Sequence, residues 1–119
     1  MQQRIGTITR NTKETQITLT INLDGSGKAD ISTGIGFFDH MLNSFARHGL
    51  FDLTVKATGD LEVDCHHTIE DVGIVLGQAI AQAVGDKKSI CIYGDCILPM
   101  DEAIILCEID LSCRPYLGY

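Results

Sequence analysis

The feature that most constrains this chain is a hydrophobic period that changes three times between two residues and three to four residues. Apolar and polar residues alternate over residues 15–23, which predicts a strand with one buried face. Apolar residues recur every three or four positions over residues 36–48, which predicts a short amphipathic helix. Alternation returns over residues 51–58, and helical spacing returns between Asp64, the predicted N-cap, and Gly85. A strand therefore separates two helices.

Further strands complete a predicted order of β-β-β-α-β-α-β-β. Residues 4–10 form the first candidate strand, and residues 90–98 and 102–112 form the last two. The glycine-rich turn at residues 24–27 predicts that residues 28–32 form a hairpin with the first long strand. This order is typical of the α+β class, with helices packed on one face of a mostly antiparallel sheet.

The two helices carry more specific expectations. Gly49 is the predicted C-cap of the first helix. Gly73 and Gly77 lie on one face of the second helix, where each glycine costs about 1 kcal/mol relative to alanine. We therefore expect another backbone to approach that face closely. The residues of the second helix expected to face the core are Ile69, Val72, Leu76, Ala79, Ile80 and Ala83.

Length, charge and cysteine content narrow the class of protein. With 119 residues and 45% hydrophobic content, the chain suits one domain. A net charge of -7 without a basic cluster argues against a nucleic-acid partner. Five cysteines without a C-x-x-C pair predict reduced, mostly buried thiols in a cytoplasmic protein. The N-terminal sequence has no apolar signal region, and no run of about 18 apolar residues occurs, so no membrane partner is expected.

All four histidines lie close together in the sequence. They are His40, His48, His66 and His67. On the second helix, Glu70 lies three residues after His67 and four after His66, so these side chains can converge near the first turns. Imidazole and carboxylate ligands suit first-row metals such as manganese, iron or zinc. Because consecutive helical residues point about 100° apart, the adjacent histidines favour a binuclear site.

Other interpretations of the His66–His67 pair are open. Glu70 and Asp71 could simply complement the dipole at the start of a solvated helix. The spacing from His67 to Glu70 also resembles half of an H-x-x-E-H zinc site, although Asp71 replaces the final histidine. A metallohydrolase is therefore an alternative enzyme class.

The histidines of the first helix can also be interpreted without a metal site. His40 follows Asp39, and such a pair is often only a surface turn or a helix cap. His48, at the end of the helix, could merely complement the negative end of the helix dipole.

Four motifs, in order, resemble the signatures of the imidazoleglycerol-phosphate dehydratase family. They are Gly34-Ile-Gly-Phe-Phe-Asp-His-Met-Leu42, Asp64-Cys-His-His-Thr-Ile-Glu-Asp-Val-Gly73, Pro99-Met-Asp-Glu-Ala103 and Asp110-Leu-Ser-Cys-Arg-Pro-Tyr-Leu117. The segment Arg10-Asn-Thr-Lys-Glu-Thr15 also resembles the opening of the family. The resemblance therefore covers essentially the whole chain.

This resemblance implies a fold and a set of site residues. It implies that residues 1–119 are one domain truncated at the C-terminus, namely the first half of an internal duplication with the opening strands of the second half. The implied metal ligands, to two Mn²⁺ ions per complete site, are His40, His66, His67 and Glu70. The implied catalytic residues are Glu14 and His48. The implied substrate-binding residues are Glu14, His40, His48, His66, His67, Glu70 and Arg114.

The resemblance also implies an activity and an assembly. Family members dehydrate D-erythro-imidazoleglycerol phosphate to imidazoleacetol phosphate in histidine biosynthesis, through a metal-bound imidazolate. Glu14 is the candidate proton-transfer group, and Arg114 would contact the phosphate. Manganese joins the family's trimers into homo-oligomers of about 24 subunits. The alternative is an inactive truncated fragment or paralogue that keeps only part of the metal site.

Four positions need separate mention. The family usually has an arginine 22 residues before the one matched by Arg114, and Ile92 stands there. Cys113 occupies a position that is usually glycine, where a side chain could strain the turn. Asp101 and Glu102 would line or support the pocket, and the alternative is a plain turn leading into a strand.

Overall fold

The computed structural model describes residues 3–112 and 114–119, so Cys113 lies outside the described residues. The order of elements is the predicted one: β1 (Ile5–Asn11), β2 (Thr15–Asn22), β3 (Ala29–Ser32), α1 (Gly36–Gly49), β4 (Asp52–Gly59), α2 (His66–Val84), β5 (Tyr93–Met100) and β6 (Ala103–Asp110). The chain forms two compact units, the first ending at Gly85 and the second beginning at Asp86. That the whole chain is one domain stays a prediction.

The first unit contains a four-stranded sheet in the order β1-β2-β4-β3. The pairs β1–β2 and β2–β4 are antiparallel, whereas β3 pairs with β4 in parallel. Helix α1 makes the connection between these two parallel strands, as a parallel pair requires. The sheet is therefore mixed and mostly antiparallel, which confirms the predicted class.

The predicted hairpin between β2 and residues 28–32 is wrong. Both edges of β2 are already occupied, by β1 and by β4. The Asp52 carboxylate accepts hydrogen bonds from the N–H groups of Ser26 and Lys28, at 2.8 and 3.0 Å. The Lys28 carbonyl also accepts the N–H of Leu53, at 2.8 Å. These bonds attach the glycine-rich loop to the start of β4, so β3 pairs with β4.

Both helices pack on the same face of this sheet. Helix α2 covers β1 and β2, and α1 lies over β3 and β4. The hydrophobic core lies between the helices and the sheet, and it is formed by the apolar residues that the strand and helix periods place there. Its buried residues are Ile17, Leu19, Ile21, Leu42, Ala46, Leu53, Val55, Val72, Val75, Ala79 and Ala83. The prediction for Ile69 is wrong, since its side chain is exposed. The buried stripe of α2 starts one residue earlier, at Thr68, and continues through Val72 and Val75.

The close backbone approach expected at Gly73 and Gly77 is not made by any part of the chain that the structure describes. Among the described residues, no atom lies within 4 Å of where a Cβ would stand at either glycine. The close approach is made instead by Gly6 of β1, whose Cβ would lie 1.9 Å from the Ala79 carbonyl oxygen. A strand glycine, not a helix glycine, lets α2 lie directly on the sheet.

The end of α1 also differs from the prediction. Gly49 is the last helical residue, and Leu50 takes the left-handed capping conformation, with φ 57° and ψ 28°. Gly49 is required for another reason, because a Cβ there would lie 2.4 Å from the Phe51 ring. The glycine therefore makes room for Phe51, and the left-handed position falls on a leucine.

The residue at the N-cap of helix α2 differs by one position from the prediction. Cys65 occupies the N-cap position, and Asp64 accepts a hydrogen bond from the N–H of His66, at 2.7 Å. The prediction of Asp64 as N-cap is therefore wrong by one position. Gly85 ends the helix, as predicted, with φ 59°. Among the described residues, no helix is long and apolar enough to cross a membrane.

The second unit contains the antiparallel hairpin β5–β6, closed by Asp101 and Glu102. Both strands are exposed along their whole length, because a two-stranded sheet has no layer of its own to cover either face. The four described cysteines, Cys65, Cys91, Cys96 and Cys107, are free thiols and exposed. The expectation of mostly buried cysteines is therefore wrong for these four.

Candidate functional site

The start of α2 is held tightly against the end of β4. Strand β4 ends at Gly59, where a Cβ would lie 1.9 Å from the Thr68 hydroxyl oxygen. The chain then turns, with the Asp60 carbonyl accepting the N–H of Val63 at 2.9 Å. This glycine-dependent contact fixes the position of the first turn of α2 relative to the sheet.

His66 and Glu70 lie side by side on this first turn. Their Nε2 and Oε2 atoms are 2.9 Å apart, the geometry that a spacing of four residues permits. Both side chains are more than half exposed, at 70% and 57%. They line an open groove of about 380 Å³ together with Asp64, Cys65 and Ile69. The pair can therefore be reached from solvent by an ion or a ligand.

His67 pairs with a different carboxylate. Its Nδ1 atom lies 2.9 Å from Oδ2 of Asp60, and its ring stands edge-on to that of His66, with centroids 5.9 Å apart. The hydrogen bond to Asp60, followed by the charge of that carboxylate, raises the pKa of His67 above its ordinary value. The charges of Glu14 and Asp64 act in the same direction. With Nδ1 engaged, Nε2 is the ring nitrogen left for another ligand.

Glu14 lies in the turn between β1 and β2, beside the pair formed by His67 and Asp60. The hydroxyl of Thr12 accepts the N–H groups of Glu14 and Thr15, at 3.1 and 3.0 Å. The Glu14 carbonyl accepts the N–H of Asp60, at 3.1 Å. The backbone of Glu14 is thus held on both sides while the residue itself is exposed. Such a placement suits a carboxylate that exchanges protons with a bound molecule.

An ion pair between a buried aspartate and a partly exposed arginine, behind this turn, was not expected from the sequence. Asp71 is only 8% exposed, and its Oδ2 atom accepts a hydrogen bond from the Thr15 hydroxyl at 2.5 Å. The Nε atom of Arg10 lies 3.0 Å from Oδ1 of Asp71. Asp71 therefore ties α2 to the adjoining ends of β1 and β2, and it does more than complement a helix dipole. Its position inside the buried stripe of α2 is the signal that could have identified it.

His40 and His48 lie in a separate groove on α1. Both are exposed, and the groove encloses about 550 Å³. Its lining residues are Ser26, Gly27, Lys28, Ala29, His40, Asn43, Ser44, Arg47 and His48. This groove shares no lining residue with the one that holds His66 and Glu70. That His40 belongs to the same metal site as the α2 residues stays a prediction.

The remaining site residues belong to the second unit. Asp101 and Glu102 form the exposed turn of the β5–β6 hairpin. Arg114 lines an open groove of about 640 Å³ within that unit. Ile92, at the position of the usual family arginine, is partly exposed at 38% and carries no charge. The roles of these residues toward a substrate stay predictions.

The residues of α2 fit part of a metal shell. His66 and Glu70 offer one imidazole nitrogen and one carboxylate oxygen, a donor set that suits manganese. Within residues 3–112 and 114–119, no group of three or more histidine, cysteine, aspartate or glutamate side chains could hold a metal ion. A complete shell would therefore need further donors besides this pair.

Comparison with known proteins identifies the family of the chain. A family model for imidazoleglycerol-phosphate dehydratase matches residues 33–119. An imidazoleglycerol-phosphate dehydratase of Acetivibrio thermocellus is 71% identical over 112 residues, covering 94% of this chain and 57% of the relative. A second relative with the same name, from Lachnoclostridium phytofermentans, is 65% identical and covers 98% of this chain and 59% of its own length.

Solved structures agree with the sequence relatives. The crystal structure of imidazoleglycerol-phosphate dehydratase from Staphylococcus aureus matches with a TM-score of 0.80 and 38% identity, over 94% of this chain and 60% of that one. The enzyme from Pyrococcus furiosus in complex with (S)-C348 matches with a TM-score of 0.77 and 38% identity, over 92% and 57%. The chain thus spans somewhat more than half the length of its relatives. By family model, sequence and fold together, the chain belongs to the imidazoleglycerol-phosphate dehydratase family.

Proposed function

We propose that this chain contributes part of the active site of an imidazoleglycerol-phosphate dehydratase, the lyase of histidine biosynthesis that converts D-erythro-imidazoleglycerol phosphate to imidazoleacetol phosphate. The observation that carries the proposal is the pairing of His66 with Glu70, 2.9 Å apart, on the turn that also presents His67. The backbone of Glu14 bonds to Asp60, the partner of His67, and the charge of Glu14 acts on His67. Family membership supplies the reaction, and this cluster supplies groups suited to it.

Manganese is the metal in this proposal, two ions per complete site. His66, His67 and Glu70 would serve as ligands, with His40 as a fourth from α1. When bound, the metal would acidify the imidazole ring of the substrate and help to expel the neighbouring hydroxyl group. The exposed position of His66 and Glu70 supports this role, because ligands that must meet a substrate cannot lie inside the core.

Glu14 and His48 are the proposed catalytic residues. Glu14 would take the proton bound to carbon, and its fixed backbone would keep the carboxylate in one place during that transfer. His48 would bind the substrate from the groove on α1. Arg114 would bind the phosphate through its guanidinium group, without help from position 92, where Ile92 cannot do so.

A second candidate is a folded form without enzymatic activity, which keeps weak metal binding only. The specific observation in its favour is that the described residues bring together two metal donors and no third. We expect the chain by itself to show little or no turnover for that reason. A homo-oligomeric state and a cytoplasmic location belong to the same proposal, and the free cysteines are compatible with a reducing compartment.

A fusion experiment tests the dehydratase proposal. The 119 residues would be joined to the remaining part of the Acetivibrio thermocellus relative, and turnover of imidazoleglycerol phosphate would be measured with manganese. We expect the chain alone to stay well below about 1 turnover per second and the fusion to exceed that rate.

Two variants of the fusion make the test specific. Glu70→Gln should lower turnover by about 100-fold or more, since it removes the charge of a proposed ligand. Glu62→Gln is the matched control, because it removes one exposed negative charge on the segment before α2 and should leave turnover unchanged. A folded fusion that is inactive, or equal activity in both variants, would count against the proposal.

A further inference from the structure

Asp60 contacts both Glu14, through its backbone, and His67, through its side chain. Its N–H group donates to the Glu14 carbonyl at 3.1 Å, and its carboxylate oxygen Oδ2 lies 2.9 Å from Nδ1 of His67. Its own carbonyl accepts the N–H of Val63 at 2.9 Å. The Asp60 side chain is 18% exposed, compared with 44% for His67. The largely buried Asp60 carboxylate therefore binds Nδ1 of the more exposed His67 ring.

The backbone bonds of Asp60 determine where its carboxylate can be. Because the N–H group donates to Glu14 of the β1–β2 turn and the C=O group accepts from Val63, the side chain starts from a fixed point. The Oδ1 atom is buried and has no hydrogen-bond partner among the described residues, so His67 is the described partner of this carboxylate. An ionised carboxylate only accepts hydrogen bonds, and Nδ1 of a neutral His67 must then carry the hydrogen.

We propose that Asp60 is a positioning residue that fixes the ring orientation and the Nδ1–H tautomer of His67, so that Nε2 is the nitrogen free to bind a metal ion. Carboxylates of this kind raise the basicity of a histidine ligand and hold its ring in one orientation. The role of Nε2 rests on the proposed function, whereas the tautomer follows from the contact with Asp60 and holds without any metal.

The tautomer can be measured directly on the metal-free chain. Imidazole nitrogen-15 chemical shifts, recorded above the pKa of His67, distinguish Nδ1–H from Nε2–H. We expect Nδ1–H in the wild-type chain and a shift toward the Nε2–H form, which free histidine prefers, in Asp60→Ala. Glu62→Ala is the matched control, because it removes a charge two residues away that has no described contact with His67. It should leave the tautomer unchanged.

Two results would overturn the inference. One is an Nε2–H tautomer for His67 in the wild-type chain, which decides the matter even if Asp60→Ala fails to fold. The other is a folded Asp60→Ala variant in which Nδ1–H persists.

A manganese titration separates this inference from the proposed function. Paramagnetic broadening of the His66 and His67 signals should report binding to the wild-type chain, and Asp60→Ala should weaken that binding by about 10-fold or more. Equal affinity in both chains would overturn the positioning role. Absence of broadening in the wild-type chain would count against the metal site of the proposed function, and the tautomer would still decide the role of Asp60.

Discussion

A methyl group added at Gly6 would clash with the backbone of α2. A Cβ at this position would lie 1.9 Å from the Ala79 carbonyl oxygen, and a backbone atom cannot rotate away as a side chain can. We expect Gly6→Ala to destabilise the fold by about 1–3 kcal/mol through overpacking. Urea unfolding followed by circular dichroism measures this change.

The matched control is Gly77→Ala, on the exposed face of α2. No described atom lies within 4 Å of a Cβ at Gly77, so alanine should stabilise the helix by about 0.5–1 kcal/mol. The two substitutions add the same methyl group and should change the unfolding free energy in opposite directions. Equal effects at the two glycines would contradict the packing of β1 under α2.

The pKa of His67 provides a second prediction for a single residue. The hydrogen bond and charge of Asp60 raise this pKa above the ordinary value of 6.5. A histidine whose pKa is higher in the folded state contributes stability that is fully present below the unfolded-state pKa and is lost as pH rises through the folded-state pKa. Asp60→Ala should lower the pKa toward 6.5 and reduce this pH dependence.

Proton NMR titration of the His67 ring, together with unfolding measured across the same pH window, tests this prediction. His66 is the internal control, since its partner is Glu70 and not Asp60. A His67 pKa at or below the ordinary value in the wild-type chain would show that Asp60 does not hold the ring.

The residues of the site could be predicted from the sequence only where their partners are close in sequence. His66 and Glu70 are four residues apart, and helical geometry brings them together. Asp60 and Asp71 were missed because their interactions depend on tertiary contacts, as in the bond from Thr15 to Asp71 across 56 positions. The helical period places Asp71 in the buried stripe of α2, but no local pattern identifies its partners, Arg10 on β1 and Thr15 on β2.

The secondary-structure elements were predictable because each has the hydrophobic period of a strand or a helix. The pairing of β3 with β4 was not predicted. Glycines at residues 25 and 27 suggested a hairpin, yet the Asp52 carboxylate binds this loop and places β3 on the far side of β4. The two backbone bonds from this loop hold the pKa of Asp52 below its usual value. Strand order was thus decided by a carboxylate 20 or more residues away, which a turn motif cannot reveal.

The C-terminus of α1 supplies a prediction at the scale of the element. Leu50 adopts the left-handed conformation with φ 57°, which costs a residue with a side chain about 1–2 kcal/mol. Its side chain is 62% exposed, so little packing is lost when it is removed. We therefore expect Leu50→Gly to stabilise the fold by about 1 kcal/mol.

Leu50→Ala is the control for this cap, because alanine removes the same exposed side chain but keeps the Cβ that strains the left-handed conformation. It should not stabilise the fold. Thermal unfolding of both variants provides the comparison, and a gain in stability for alanine equal to that for glycine would show that side-chain exposure, not backbone conformation, is the cause.

At the scale of the whole molecule, the apolar surface of the second unit is the dominant feature. Large apolar side chains on both strands of its hairpin are exposed: Ile97, Leu98, Met100, Ile104, Ile105, Leu106 and Ile109. An exposed and apolar hairpin of this kind favours association with other chains. We expect this chain to associate in a concentration-dependent way, whether or not metal is present.

Single substitutions locate the surface responsible. Ile105→Lys places a charge on the exposed hairpin and should reduce association at a given concentration. Thr54→Lys is the matched control, since it adds the same charge at an exposed polar position of β4 in the first unit. Sedimentation velocity compares the two variants, and an equal reduction by both would mean that net charge, not the hairpin surface, governs association.

The last prediction concerns manganese and assembly. The resemblance to the family implies oligomers of about 24 subunits joined by metal that more than one subunit binds, so we expect metal and association to be thermodynamically linked in a full-length relative. In this chain, no group of three or more donor side chains is brought together among the described residues, and an ion held by two donors binds too weakly to join subunits. Light scattering with manganese, and then with a chelator, should therefore show no metal-dependent shift to a discrete large species. The full-length Acetivibrio thermocellus relative is the positive control and should respond to both additions. A sharp particle of about 24 copies of this chain that disperses with chelator would show that these residues carry the assembly contacts by themselves.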